Sequence, residues 1–328
     1  MRPQAELNSP GNVSHLLPTR RAFLGRALQM GLLAQASFSV AHAAKVRAPR
    51  DVSPANLSEA LGINTSSFTA QLTRKGIGRN LSLLEVPKIL RHELDLRVLD
   101  LSSKFFPLDD DGLLDRFRKA AELAGCTLIT VKMSRKSDKL CDLGSHNREL
   151  RQKALADFKQ WIDVASKLGT RFARPHPGQS KPESVSALED GFRELSDYAG
   201  ERKIGLLVEN VGCIGKGDPN AIVKMVKAVG RNIAASPDIG NWPNDKVRFA
   251  ALEASFPLAA TCDFKFIALE PDGSHPLYDL EKCFRIGWNS GFRGPWNFEH
   301  ADPDTAALFK KLGLMRDRLR RWMAELKK

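Results

Sequence analysis

The chain has 328 residues, 42% of them hydrophobic and 27% charged, with 50 Lys and Arg against 38 Asp and Glu and a net charge of +12. The apolar share excludes a disordered polymer, and five dispersed cysteines without a C-x-x-C spacing (Cys126, Cys141, Cys213, Cys262, Cys283) exclude a small disulfide scaffold. No segment reaches the ~20 strongly apolar residues of a permanent membrane span.

The first element is a targeting segment. Thr19-Arg20-Arg21-Ala22-Phe23-Leu24-Gly25 is followed by an apolar stretch through Met30, Leu32, Leu33 and Val40, then by Ala41-His42-Ala43 as a small-x-small cleavage site. This layout predicts a twin-arginine signal peptide over residues 1–43, the Tat translocase as partner during export, and a periplasmic or secreted mature protein. Those 43 residues hold four arginines against one glutamate, so the remainder carries +9. Its densest basic run, from Lys310 to Lys328, is interleaved with Leu312, Leu319, Trp322 and Leu326, which predicts a solvated amphipathic last helix and no nucleic-acid partner.

After a linker over 44–64, short apolar runs alternate with longer amphipathic ones. The expected strands are 67–72, 96–101, 127–133, 171–175, 204–209, 233–238, 260–268 and 296–300. The expected helices between them include 113–124, 148–168 with Gly169 as its stop, 186–202, 218–229, 247–256 and 280–290. Eight such units predict an α/β fold, a single (β/α)8 TIM barrel over 65–328. An open doubly wound sheet is the alternative, disfavoured because no strand is followed by a G-x-G-x-x-G turn.

In such a barrel chemistry collects at the carboxyl ends of the strands. Polar residues ending apolar strands are therefore the candidates: His176 after the fourth strand, Glu209 and Asn210 after the fifth, Asp238 and Asn241 after the sixth, Asp263 and Lys265 in the seventh, and Glu299 in the eighth. Carboxylates converging on one rim need a divalent cation, Lys265 or shared protons to offset their repulsion. Trp242 and Trp296 are candidate sugar-stacking faces or barrel packing.

The helix end Ala165-Ser-Lys-Leu-Gly169, the motifs Leu-Val-Glu209-Asn210 and Pro-Asp238-Ile-Gly-Asn241, the strand Asp263-Phe-Lys265, and Gly291-Phe-Arg-Gly leading to Phe-Glu299-His300 together resemble the xylose isomerase-like TIM-barrel superfamily, the sugar phosphate isomerase/epimerase group. The resemblance implies metal ligands at Glu209, Asp238, Asp263 and Glu299. It implies Glu209, Glu299 and Lys265 as catalytic groups, with His176, Asn210, Asn241 and Trp242 meeting substrate. Asp263 stands where relatives carry histidine, and Val211 follows the Glu-Asn pair where relatives often carry another. The all-carboxylate set favours Mn²⁺ or Mg²⁺ over Zn²⁺ and also admits a metal-free site. The expected function is metal-assisted sugar or cyclitol isomerisation or epimerisation, or a lyase acting on 3-keto sugars, in a chain that can form a homo-oligomer. Arg174-Pro-His176-Pro-Gly178 also resembles endonuclease IV, so a phosphodiesterase, and a non-catalytic sugar-binding barrel, stay open as alternatives.

Overall fold

The computed structural model describes residues 57–133, 142–179, 185–215 and 217–328. The expected signal peptide and Cys141 lie outside the described residues. Eight parallel strands form one sheet: β1 (Leu61–Asn64), β2 (Val98–Ser102), β3 (Thr127–Met133), β4 (Phe172–Pro175), β5 (Gly205–Val208), β6 (Ile233–Ala235), β7 (Cys262–Lys265) and β8 (Trp296–Glu299). The helices that follow them in turn are α1 (Val86–His92), α2 (Asp111–Leu123), α3 (Arg148–Leu168), α4 (Val185–Glu201), α5 (Ala221–Val229), α6 (Asp245–Ser255), α7 (Leu280–Asn289) and α8 (Thr305–Glu325). None of the described helices is long and apolar enough to cross a membrane.

The helices begin and end where their sequences say they should. Asp110, Asn147, Asn244, Asp279 and Asp304 each accept a backbone N–H at a helix start, and Gly169 and Gly230 close α3 and α5 in left-handed conformation. In α8 the apolar stripe Leu312, Leu319 and Trp322 is buried, while Arg320 reaches Asp95 and Lys311 reaches Asp302.

The first strand corrects the sequence expectation. Residues 67–72, read as a strand, form 3-10 and α-helical turns, and β1 lies in the stretch 61–64 expected to be linker. Leu-Gly-Ile-Asn is too short for its period to be read. It is extended because Gly62, Ile63 and Asn64 pair with β2, and position 62 is glycine because a Cβ there would come within 2.6 Å of Val98 O.

The sheet curls in the order β6-β5-β4-β3-β2-β1-β8-β7. Between β6 and β7 the pairing falls to isolated bridges, Ala235 with Ala259 and Asp238 with Asp263. Pro237, which has no N–H to donate, follows the three-residue β6 and ends its ladder.

Side chains alternate along each strand, so one face of the sheet is read by counting in twos. At its amino end that face is apolar, with Leu57, Val98, Ile129, Phe172 and Leu207 packed in one small cluster. Two residues further along β2, β4 and the end of β5 stand Asp100, Arg174 and Glu209. The other face packs against the helices in the main core. An apolar plug therefore lies beneath a charged layer at the carboxyl ends of the strands.

Strand β3 changes face part-way. Leu99 pairs with Leu128 but Asp100 pairs with Thr130, so Ile129 is an extra, bulged residue. The bulge puts Ile129 in the inner plug and then places Thr130 and Lys132 opposite the inward Asp100 and Ser102. Val131 and Met133 join the helix-side core.

Candidate active site

Among the described residues, the carboxyl ends of the strands bring together five carboxylates and three cations. Lys132 Nζ lies 3.3 Å from Glu209 Oε1, 3.1 Å from Asp263 Oδ2 and 3.3 Å from Glu299 Oε2. Lys265 Nζ lies 2.8 Å from Glu299 Oε1 and 3.4 Å from Asp238 Oδ2, and donates to Asn241 Oδ1 at 3.1 Å. Arg174, buried beneath them, reaches Asp100 at 2.7 Å, Asp263 at 3.0 Å and Glu209 at 3.5 Å, and donates to Ser236 Oγ at 2.8 Å. Asn64 Nδ2 donates to Glu299 Oε2 at 3.2 Å, and Asn241 Nδ2 to Glu209 Oε1 at 3.2 Å.

The layer is graded in depth. Asp100, Asp238 and Asp263 have no exposure, whereas the side chains of Glu299, Lys132 and Lys265 are 14%, 16% and 20% exposed. A small molecule entering from the strand ends would meet that glutamate and the two ammonium groups first. Gly240 makes room for this arrangement: a Cβ there would lie 2.7 Å from Lys265 Cδ and from Tyr278 Oη, which donates to the Lys265 carbonyl at 2.7 Å.

The electrostatics follow depth and pairing. Burial pushes Asp238 up to about 7, with Lys265 offsetting only part of the rise. Burial likewise holds Asp100 well above the usual carboxylate value despite Arg174. Burial opposes charge on Asp263 and Glu299 too, but there the cations win: Arg174 and Lys132 hold the first below its ordinary value, Lys132 and Lys265 the second. Burial opposes the Lys132 ammonium as well, and Glu209, Glu299 and Asp263 outweigh it, so the group stays protonated.

Glu209, Asp238 and Asp263 each offer an oxygen, all within 4.8 Å of one another, a buried acidic triad that could hold a metal ion. The residues present fit a divalent cation on three grounds. The donors are hard oxygens, Asp263 Oδ1 is buried with no hydrogen-bond partner, and Asp100, Glu209, Asp238, Asp263 and Glu299 exceed Lys132, Arg174 and Lys265 by two charges. Two protons, on Asp100 and Asp238, would meet the same imbalance.

The other expected residues have different roles. Asn210 spends its amide on backbone: its Nδ2 donates to the Asp238 carbonyl at 2.8 Å and its Oδ1 accepts the Asp238 N–H at 2.7 Å, so it clamps the end of β5 to the turn after β6. Trp242 is buried in the main core and offers no face for a sugar. Trp296 is packed among Phe256, Phe264, Phe284 and Phe292. His176 Nδ1 accepts the Gly178 N–H at 3.0 Å, fixing the ring within its loop, and His300 stacks on Phe266. Sequence reasoning missed Lys132, Arg174, Asp100 and Asn64. For Asp100 and Arg174 a charged residue inside an otherwise apolar strand was the available sign; Lys132 and Asn64 carried none, the first placed by a bulge and the second in a strand of four residues.

A model of the xylose isomerase-like TIM barrel matches residues 93–325. The chain belongs to this family. Among solved structures, D-psicose 3-epimerase with D-tagatose from Clostridium cellulolyticum H10 superposes with a TM-score of 0.64 at 13% identity, covering 80% of this chain and 98% of that one. The 3-keto-D-glucoside 4-epimerase from E. coli gives 0.59 at 13% identity, covering 78% and 98%. A xylose isomerase-like TIM barrel protein from Mycobacterium smegmatis in complex with magnesium gives 0.56 at 18% identity, covering 80% and 97%. These likenesses establish the fold. Comparison with curated proteins by sequence finds no match.

Proposed function

We propose that the protein is an exported isomerase or epimerase of uncharged sugars, cyclitols or 3-keto sugars, working by proton transfer next to a carbonyl. One observation carries the reading: at the partly exposed level of the site, Glu299 is held between two ammonium groups, Lys132 at 3.3 Å and Lys265 at 2.8 Å. A carboxylate so flanked stays ionised and can accept a proton from carbon. The ammonium groups stand where the charge of an enediolate would collect. The sugar epimerases among the similar structures support the substrate class.

In the step derived from these residues, the C–H bond beside the carbonyl breaks and its proton passes to Glu299. The electron pair moves to the carbonyl oxygen, which accepts hydrogen bonds from Lys132 and Lys265. Return of a proton to the same carbon from the opposite face gives epimerisation, with Glu209 as donor once it has taken a proton from solvent and Glu299 releasing its own to solvent. Return to the former carbonyl carbon, with the hydroxyl proton of the attacked carbon passing to the former carbonyl oxygen, gives isomerisation; departure of a β-hydroxyl as water, with the proton held by Glu299, gives the lyase outcome. A divalent cation on Glu209, Asp238 and Asp263 would supply polarisation of the carbonyl, and the all-oxygen donors favour Mg²⁺ or Mn²⁺ over Zn²⁺.

The test is proton exchange from solvent. Mature protein with Mn²⁺ and a panel of sugars and 3-keto sugars in D₂O should place deuterium at one carbon of one class, read by NMR. Glu299→Gln should slow that exchange by about 10²- to 10⁴-fold with the fold intact. Full activity of the variant would remove Glu299 from the chemistry, and absence of exchange across the panel would reject the reaction class.

A further inference from the structure

The position of the Lys132 ammonium bears on how the site handles metal. Its three carboxylate contacts, at 3.1 to 3.3 Å, include Glu209 and Asp263, two of the three members of the buried acidic triad, and the third is Glu299 beside it. Three acceptors arranged around one ammonium are the coordination of a small cation, drawn out to hydrogen-bond length. Metal–oxygen bonds to a small divalent ion are about 2.0–2.1 Å, so an ion binding the same oxygens would share its space and its partners with Nζ, and two like charges would repel.

The three cations of the site are not equally fixed. Arg174 is 1% exposed and anchored by Asp100, Asp263 and Ser236, so its guanidinium is a permanent part of the layer. Lys265 touches only Asp238 within the triad, at 3.4 Å, and its other contacts are with Glu299 and Asn241. Lys132 alone has its head group on two triad members while remaining partly exposed on a flexible four-carbon stem.

We propose that Lys132 is a built-in counter-cation that occupies the metal position of this barrel, so that a divalent ion binds only by displacing the ammonium from Glu209 and Asp263 toward Glu299. The inference rests on the carboxylate set of the functional reading but not on its sugar chemistry. It assigns Lys132 a role opposite to that of a metal-supporting residue: removing it strengthens metal binding. The bulge at Ile129 is what delivers the side chain to that place.

The experiment is a Mn²⁺ titration of the metal-stripped mature protein without sugar, reading free Mn²⁺ by EPR and thermal stability in parallel. Lys132→Gln should bind one Mn²⁺ at least tenfold more tightly than the wild type, and its melting temperature should rise more on adding Mn²⁺. Lys265→Gln, which also removes one positive charge, should gain clearly less. Lys132→Arg keeps the cation and should stay as weak as wild type, which keeps the test open if the neutral variant folds only with metal. Equal or weaker binding by Lys132→Gln would overturn the proposal. So would equal gains in Lys132→Gln and Lys265→Gln, since that would reduce the effect to net charge. A protein that passes this test but exchanges no sugar proton would lose the functional reading alone.

Discussion

Asp238 is the residue on which pH should act. Its folded value of about 7 lies above the usual 3.8, so its burial costs nothing below pH ~4 and the full penalty is present above pH ~7. Asp238→Asn keeps an oxygen for the Gly240 N–H, which donates at 2.7 Å, and removes that penalty. The metal-free variant should melt several degrees above wild type at pH 8, and the advantage should shrink as the pH falls and vanish by pH ~4; thermal melts at both pH values decide it. That Glu209, Asp238, Asp263, Lys265 and Glu299 come together was legible in the sequence because each stands within or just past the carboxyl half of an apolar strand, where barrel geometry collects polar groups. The backbone clamp made by Asn210 and the burial of Trp242 were not. A polar residue beside a ligand position can equally satisfy the neighbouring backbone, as Asn210 does, and only the fold decides which.

The individual elements show why the remaining errors arose. Most strands and helices were readable because apolar alternation and caps agree with the tertiary structure: β3 and α3 occupy the residues their pattern demands. Lys132 escaped because strict alternation from Ile129 through Val131 and Met133 turns it toward the helices, whereas the bulge reverses that parity. No local residue type announces a bulge in Thr-Leu-Ile-Thr-Val-Lys. β1 escaped because four residues carry too little period and take their extended form from neighbouring strands. The Asn210 clamp makes a testable claim at this scale. Asn210→Ala would leave the Asp238 N–H and carbonyl without partners in a buried turn, at a cost of about 2–3 kcal/mol. Urea denaturation should show that loss, and with no direct role in binding the variant should keep its KM for the sugar.

For the whole chain, the eight-unit rhythm, the order of the strands and the match over residues 93–325 agree on one architecture. The proposed twin-arginine signal is tested separately. Replacing Arg20 and Arg21 together by Lys should leave the precursor in the cytoplasm, checked by fractionation and immunoblotting. Equal export of wild type and variant would reject the twin-arginine route. Architecture and site meet at the β6–β7 seam, where the sheet is held by isolated bridges and where Asp238 pairs with Asp263 through the backbone. Two carboxylates of the triad therefore stand on opposite jaws of the least-stitched joint in the wall. With no long ladder across it, the Asp238–Asp263 spacing is the dimension of the triad that the sheet fixes least, and it is where ions of different radius should be told apart. Its amides, Ile239, Ala260 and Asp263, should exchange with deuterium faster than those of β2, and a bound cation should slow the seam selectively.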